Sequence, residues 1–190
     1  AHRLSNYPER GTDVSVVLDL MIHDIDIILS IIKSKVSNVF ANGTKIISSS
    51  PDIANARIEF ENGCVANLTA SRVSLKKMRK ARIFQKDAYV SIDFLEKKTE
   101  IVSLSDESSW NPFVTNIEVD TDGNKKSVRL HKPRVKNLNA IKEELVSFAK
   151  AIKNNSLPLV TLNDGCKAIR VAHIVMDKIN ERITKTLSNA

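Results

Sequence analysis

Residues 14–32 read VSVVLDLMIHDIDIILSII. Polar residues interrupt this apolar run at Ser15, Asp19, His23, Asp26 and Ser30. Those positions trace one stripe of a 3.6-residue helix. Val and Ile favour strands, but the run is far longer than the usual limit of about ten residues for a strand. The spacing therefore predicts a helix over 14–32, buried on most sides, with one narrow polar edge. Its β-branched residues lose rotamer freedom in a helix, so packing must hold it rather than propensity. It is not a membrane span: Asp19, His23, Asp24 and Asp26 sit near its middle, and each Asp there costs roughly 2.5–3.5 kcal/mol to insert.

Asp19 and His23 stand one helical turn apart, close enough for their side chains to meet. A carboxylate beside an imidazole favours the protonated ring and makes it a better proton acceptor near neutral pH. An ordinary structural pair on a buried helix has the same spacing and perturbs its own titration too. The pattern alone leaves both readings open. A divalent metal on Asp19, His23 and a further carboxylate is the weaker option. The cluster offers a single His, and helical geometry turns Asp24 off the stripe, so no metal site is predicted.

The whole chain has 190 residues, 42% hydrophobic and 27% charged, enough for one domain with a core. Cys64 and Cys166 make no framework and no CxxC pair, and are read as free buried thiols in a reducing cytosol. The net charge of +7 gathers in Lys76–Lys86 and Lys125–Lys136. Such runs are usually solvated faces, and also suit a phosphate-bearing ligand. With 5% aromatic residues and no stacking motif, nucleic acid is not an expected partner. No membrane segment is expected either, and the chain is placed in the cytoplasm. It opens AHRLSNYPERG without Met, and is read as part of a longer protein.

Strands follow the helix. Val36 to Ile47 reads as a strand broken at Asn42-Gly43. Ile53 to Phe60 alternates, with Ala54, Ala56, Ile58 and Phe60 on one face and Asn55, Arg57 and Glu59 on the other. Glu61-Asn62-Gly63 turns the chain, and Cys64 to Val73 returns with Ala66, Leu68 and Ala70 inward. That small-sided face suits a closely packed helix, and 14–32 is the expected occupant. Further strands are read at 80–85, 88–94, 99–104, 113–119 and 127–130. Trp110 lies in a loop, and Asp120 to Asn124 forms a turn. Two helices close the chain. Ala140 to Lys153 is predicted to bury Ile141, Leu145, Phe148, Ala149 and Ile152. A second runs from a cap at Thr161 or Asn163 to about Leu187, with Ile169, Ala172, Met176, Ile179, Ile183 and Leu187 as its stripe. His173 and Asp177 on it read as a surface pair. The fold class is α+β, with helices on one face of a mostly antiparallel sheet.

No G-x-G-x-x-G, Walker, G-x-S-x-G or H-E-x-x-H motif occurs. A cofactor for chemistry at Asp19 and His23 must therefore be held elsewhere.

VVLDLMIHDIDIILSI resembles the helix that opens the second domain of the glucose–fructose oxidoreductase, inositol dehydrogenase and rhizopine catabolism (Gfo/Idh/MocA) family. ANARIEFENGCVANLTASRVS and LVTLNDGCKAIRVAHIVMDKI continue the resemblance over nearly the whole chain. It implies that residues 1–190 are the C-terminal substrate-binding and oligomerisation domain, an open sheet whose first strand is truncated. The Rossmann domain with its Gly-rich loop would lie before it. NAD or NADP would be bound mainly there, with no cofactor residue in this chain. The implied reaction oxidises a hydroxyl of a sugar or nucleotide sugar. His23 accepts the proton, Asp19 orients the ring, and hydride passes to the nicotinamide. The 190 residues alone would be inactive. HRLS and SRVSLKKMRKARIF are similar to UDP-N-acetylglucosamine 3-dehydrogenase-like members, which makes Arg3, Asp24, Arg72, Lys76 and Lys77 the expected substrate contacts. A homodimer or homotetramer through the sheet face is also implied. The alternative is a non-catalytic interaction domain with a basic face for an acidic partner.

Overall fold

The computed structural model describes residues 1–7, 13–105, 115–121, 124–136 and 138–188; the loop expected around Trp110 and the tip at 122–123 lie outside them. The chain forms two compact units, Ala1–Met78 with Leu138–Ala190, and Arg79–Asn137. In the first unit the elements are β1 (His2–Leu4), a π-helical turn (Val17–Met21) running into α1 (Ile22–Ile31), β2 (Val36–Thr44), β3 (Ile53–Phe60), β4 (Val65–Ser71), α2 (Ala140–Lys153) and α3 (Leu162–Ser188). Its strands lie in the order β2-β3-β4-β1. β2, β3 and β4 pair antiparallel, and β1 joins β4 in parallel with Arg3 opposite Ala70.

The alternation predicted for β3 and β4 is the one observed. Ala54, Ala56, Ile58, Phe60, Leu68 and Ala70 are buried, while Asn55, Arg57 and Asn67 face outward. Gly63 carries the turn between them at φ +83°, where a side chain would be strained. Helices cover the buried face, with the π turn on β4 and α3 on β2. The expected break at Asn42-Gly43 does not occur, since β2 runs through it. A Cβ on Gly43 would lie 2.9 Å from Ile179 Cγ2, so the glycine permits the close approach of α3. The buried side of α3 is Ala168, Val171, Ala172, Val175 and Ile179. Ile169, predicted as part of the buried stripe, is about half exposed instead. His173 and Asp177 are both exposed.

The two C-terminal helices begin as their sequences require. The Lys142 N–H donates to Asn139 Oδ1 at 3.1 Å. Thr161 and Asp164 cap α3 reciprocally: the Thr161 N–H donates to Asp164 Oδ2 at 3.0 Å, and the Asp164 N–H to Thr161 Oγ1 at 3.3 Å. The predicted burial of α2 fails, however. Ile141, Leu145, Phe148 and Ile152 are all more than half exposed, and Ala151 is its one buried residue. Helical period reports which face is apolar, not what covers it. Cys64 and Cys166 are free, as expected, but exposed rather than buried.

The second unit is a sheet in the order β5-β6-β7-β9-β8, formed by β5 (Met78–Gln85), β6 (Ala88–Asp93), β7 (Lys98–Ser105), β8 (Thr115–Thr121) and β9 (Asn124–His131). Every pairing within it is antiparallel. Phe84 and Tyr89 meet across β5 and β6 with ring centroids 5.0 Å apart. No helix belongs to this unit among its described residues.

Candidate active site on the first helix

Ser15 starts the helix. Its carbonyl accepts the N–H groups of Leu18 (3.0 Å) and Asp19 (2.9 Å), and its hydroxyl accepts that of Val17 at 3.3 Å. Ser15 is buried and serves this cap, so it does not belong to the polar edge. The next turn is widened: the Ile22 N–H reaches back five residues to the Val17 carbonyl. Such π turns are uncommon and occur often at functional sites. Nothing in the spacing of the sequence signalled it.

Val16, Val17, Met21, Asp24 and Ile25 form the buried side of the helix. Asp19, His23 and Ser30 are exposed, and Asp26 is half-buried. The helix is thus buried on one side rather than on most. Among the described residues neither the Asp19 carboxylate nor the His23 ring has a hydrogen-bond or ion-pair partner, and the two do not bond to each other. An imidazole and a carboxylate are therefore presented together to solvent. The pair has the chemistry to accept and stabilise a proton from a bound hydroxyl.

Arg3 and Asp24 meet on the opposite side. Arg3 Nε donates to Asp24 Oδ2 at 3.0 Å and Arg3 Nη2 to Oδ1 at 2.9 Å, a bidentate pair with side chains 10% and 6% exposed. This pair ties β1 to the helix and turns both groups away from solvent.

Arg72 has no exposed side-chain surface. Its Nε donates to Asp52 Oδ1 at 2.8 Å, its Nη2 to Ser50 Oγ at 2.8 Å, and its Nη1 to the Val14 carbonyl. Asp52 Oδ2 accepts the N–H groups of Ile46 (2.8 Å), Ile47 (2.7 Å) and Ser48 (2.9 Å). Burial pushes the Asp52 carboxyl up, but the Ser48 and Ile47 amides, the Ser48 hydroxyl and Arg72 together hold it well below the usual carboxylate range. The Val16 N–H completes the link by donating to the Pro51 carbonyl at 3.2 Å. Loop 45–51, the end of β4 and the start of the helix are thus joined at one buried ion pair. In the sequence Asp52 is a lone acid after Ser-Ser-Ser-Pro, and its role is not legible there.

Lys76 and Lys77 are exposed on the segment after β4. That segment is held by the Ser74 N–H to the Ser5 carbonyl at 3.0 Å and by Asn6 Nδ2 to the Leu75 carbonyl at 3.4 Å. Of the expected site residues, the structure brings Asp19 and His23 to the open face of the helix. It places Arg3, Asp24 and Arg72 beneath it, engaged with protein partners, and leaves Lys76 and Lys77 free in solvent.

Residues 3–90 match the model of the GFO/IDH/MocA C-terminal domain. A UDP-N-acetylglucosamine 3-dehydrogenase of Acidithiobacillus ferrooxidans is 41% identical over 101 residues, 53% of this chain and 32% of that protein. The solved UDP-N-acetylglucosamine 3-dehydrogenase GnnA from the same organism superposes with a TM-score of 0.79 at 30% identity, covering 94% of this chain and 53% of that one. Levoglucosan dehydrogenase, solved in complex with NADH, shares the fold with a TM-score of 0.68 at 14% identity, covering 95% of this chain and 55% of that one. The chain spans about half the length of these solved relatives.

Proposed function

We propose, from the match of residues 3–90 to the GFO/IDH/MocA C-terminal domain and the likeness of the fold to GnnA, that the chain is the substrate-side half of an NAD(P)-dependent dehydrogenase of that family, acting on a hydroxyl of a sugar or nucleotide sugar. The observation that carries this reading is the exposed, unpartnered Asp19–His23 pair on a helix mounted by buried ion pairs. Similarity to a nucleotide-sugar dehydrogenase across 101 residues supports the substrate class. His23 accepts the proton of the substrate hydroxyl. Asp19, one turn earlier on the same open face, orients the ring as the proton is transferred. Lys76 and Lys77 are the cations left available to a diphosphate, because Arg3 and Arg72 already serve protein partners.

β1 and β4 pair in parallel, and no Gly-rich turn leads from either into a helix. The sequence of this chain carries no Gly-rich dinucleotide-binding motif. NAD(P) would be held by a separate domain and would supply the hydride acceptor. Two observations support such a second domain: the chain spans about half of its solved relatives, and the apolar side of α2 is bare. Assembly through a sheet face, as a homodimer or homotetramer, fits the half-exposed apolar residues of the second unit. No helix is long and apolar enough to cross a membrane among the described residues. The 190 residues alone are expected to be inactive.

The test is a panel of nucleotide sugars and free polyols, with NAD or NADP, against the two-domain protein, following NAD(P)H absorbance. Nucleotide-sugar turnover is expected, and His23→Ala should lower kcat by about 10²–10⁴-fold while leaving dinucleotide affinity unchanged. Response to polyols alone would overturn the substrate class. Wild-type rates in the variant would remove His23 from the reaction.

A further inference from the structure

Arg3 and Arg72 are the buried arginines among the described residues, and both grip the same helix. Arg72 holds its start at the Val14 carbonyl, and Arg3 holds Asp24, the residue that follows His23. The two arginines come from neighbouring parallel strands. Arg3 lies opposite Ala70, and Arg72 follows two residues further along, just past the end of β4. Strand geometry sets such positions about 7 Å apart along the strand and about 5 Å across. The sheet therefore fixes where Val14 and Asp24 must sit.

Between those fixed points lies the π turn Val17–Met21. A widened turn is uncommon and persists where its surroundings determine it. We propose that Arg3 and Arg72 are positioning residues: their two grips hold Val17–Met21 in its π geometry and so set the rotation of Asp19 relative to His23. In a regular α-helix, residues four apart are offset by about 40° around the axis. The wider turn rotates each residue less, which moves Asp19 more squarely into line with His23. The buried pairs that held promise as substrate contacts act instead through the backbone that carries the exposed pair.

The catalytic part of this inference rests on the dehydrogenase reading, and the structural part does not. The test releases each grip in the intact protein. Asp24→Asn removes the carboxylate charge beneath His23, and Arg72→Lys cannot serve Asp52, Ser50 and Val14 together. Crystal structures of the variants should show the Ile22 N–H leaving the Val17 carbonyl, with faster hydrogen exchange over residues 14–25. In the two-domain protein, kcat should fall by about 10²-fold, and KM for the sugar should change less than about twofold. Arg3→Lys, which keeps the charge but not the bidentate geometry, should fall between these variants and wild type. It also decides the matter if Asp24→Asn fails to fold by circular dichroism.

Folded variants that keep the Ile22–Val17 bond would overturn the proposal. So would a lost π turn with kcat intact, or a loss expressed wholly in KM. A wild-type protein that oxidises no sugar would refute the dehydrogenase reading separately, leaving the Ile22–Val17 bond to judge the grips.

Discussion

In β3 and β4, alternate side chains disappear beneath the helical layer. In β5, β6 and β7, every described apolar side chain keeps part of its surface. The strand pairs themselves are alike: β3–β4, β5–β6 and β6–β7 all have tight turns and unbroken antiparallel registers. What differs is the cover. The first unit has α3 and the π turn over its sheet, and the buried apolar core of the described chain lies wholly there. Half-exposed Ile83, Val90, Ile92 and Ile101 in the second unit have no such layer within it. A sheet gains most of its stability from packing a face, not from pairing strands. The candidate site is therefore built on the unit that completes its own core, and the second unit keeps surface for contacts of its own.

The comparison breaks most sharply at Asp52. Asp52→Ala leaves the Arg72 guanidinium buried without its carboxylate and frees three loop amides. The expected cost is about 3–5 kcal/mol, a fall in Tm of roughly 6–20 °C at this chain length, read by thermal melting. The pH dependence has a definite sign. The folded-state pKa of Asp52 is depressed, so as pH falls the unfolded chain takes up this proton first. Its stabilisation is complete above the ordinary Asp value of about 4 and is lost as pH falls towards the lower folded value. The variant should lack that part of the acid decline. A melt within about 1 kcal/mol of wild type would mean that the buried pair does not anchor the first unit.

A matched pair of truncations sharpens the same contrast. Ile58 is fully buried, so Ile58→Ala should cost about 2–5 kcal/mol. Ile92 is half-buried, and Ile92→Ala should cost less than about half as much if the second unit's sheet is bare in solution. Chemical denaturation of both variants measures the ratio. Equal losses would show that a partner covers Ile92, and sedimentation would then reveal an assembly.

The same division explains what the sequence disclosed. Period two named the inward residues of β3 and β4, and Gly63 marked their turn, because local geometry decides both. Apolar stripes located α2 and α3 to within a residue or two. Period could not say that Ile141, Leu145, Phe148 and Ile152 would be bare, because cover is a non-local property. The same limit applies to Gly43. As Asn-Gly it reads as a turn, yet it sits inside β2 because Ile179 presses on it. At the site, the family-like Asp19-x-x-x-His23 spacing was legible, and both side chains do reach the open face. Arg3 and Arg72 were legible as cations but not as buried ones. Their partners Asp24 and Asp52 are 21 and 20 residues away in the chain, and only the fold brings them together.

Gly43→Ala tests the helix cover directly, at a smaller scale. The new Cβ would stand 2.9 Å from Ile179 Cγ2 and 3.2 Å from the Ile53 carbonyl oxygen. Ile179 is 1% exposed, so it cannot swing away without disturbing the core. The expected cost is about 1–3 kcal/mol by denaturation. A combined Gly43→Ala, Ile179→Val variant should recover part of it, since the shortened side chain no longer carries the Cδ1 atom 3.2 Å from the new methyl. No recovery would place the clash on Cγ2, which Val keeps, or on the Ile53 carbonyl rather than on Cδ1.

The smallest effect is expected at the second unit's own ion pair. Asp93 lies 2.9 Å from Lys80 across β5 and β6, and its Oδ1 also accepts the N–H groups of Leu95 and Glu96 at 3.0 Å each. The Glu96 amide, with Lys80 and the Leu95 amide, holds the Asp93 carboxyl below its usual range against the opposing effect of burial. Asn at this position keeps an oxygen for both amides and loses only the charge. The Lys80 side chain is 43% exposed, so water already screens that charge. Asp93→Asn should therefore cost at most about 1 kcal/mol, and the loss should shrink further in high salt. A loss as large as that of Asp52→Ala, insensitive to salt, would mean that Lys80 and Asp93 are shielded in solution by a neighbour, and that the second unit's sheet is no more open than the first.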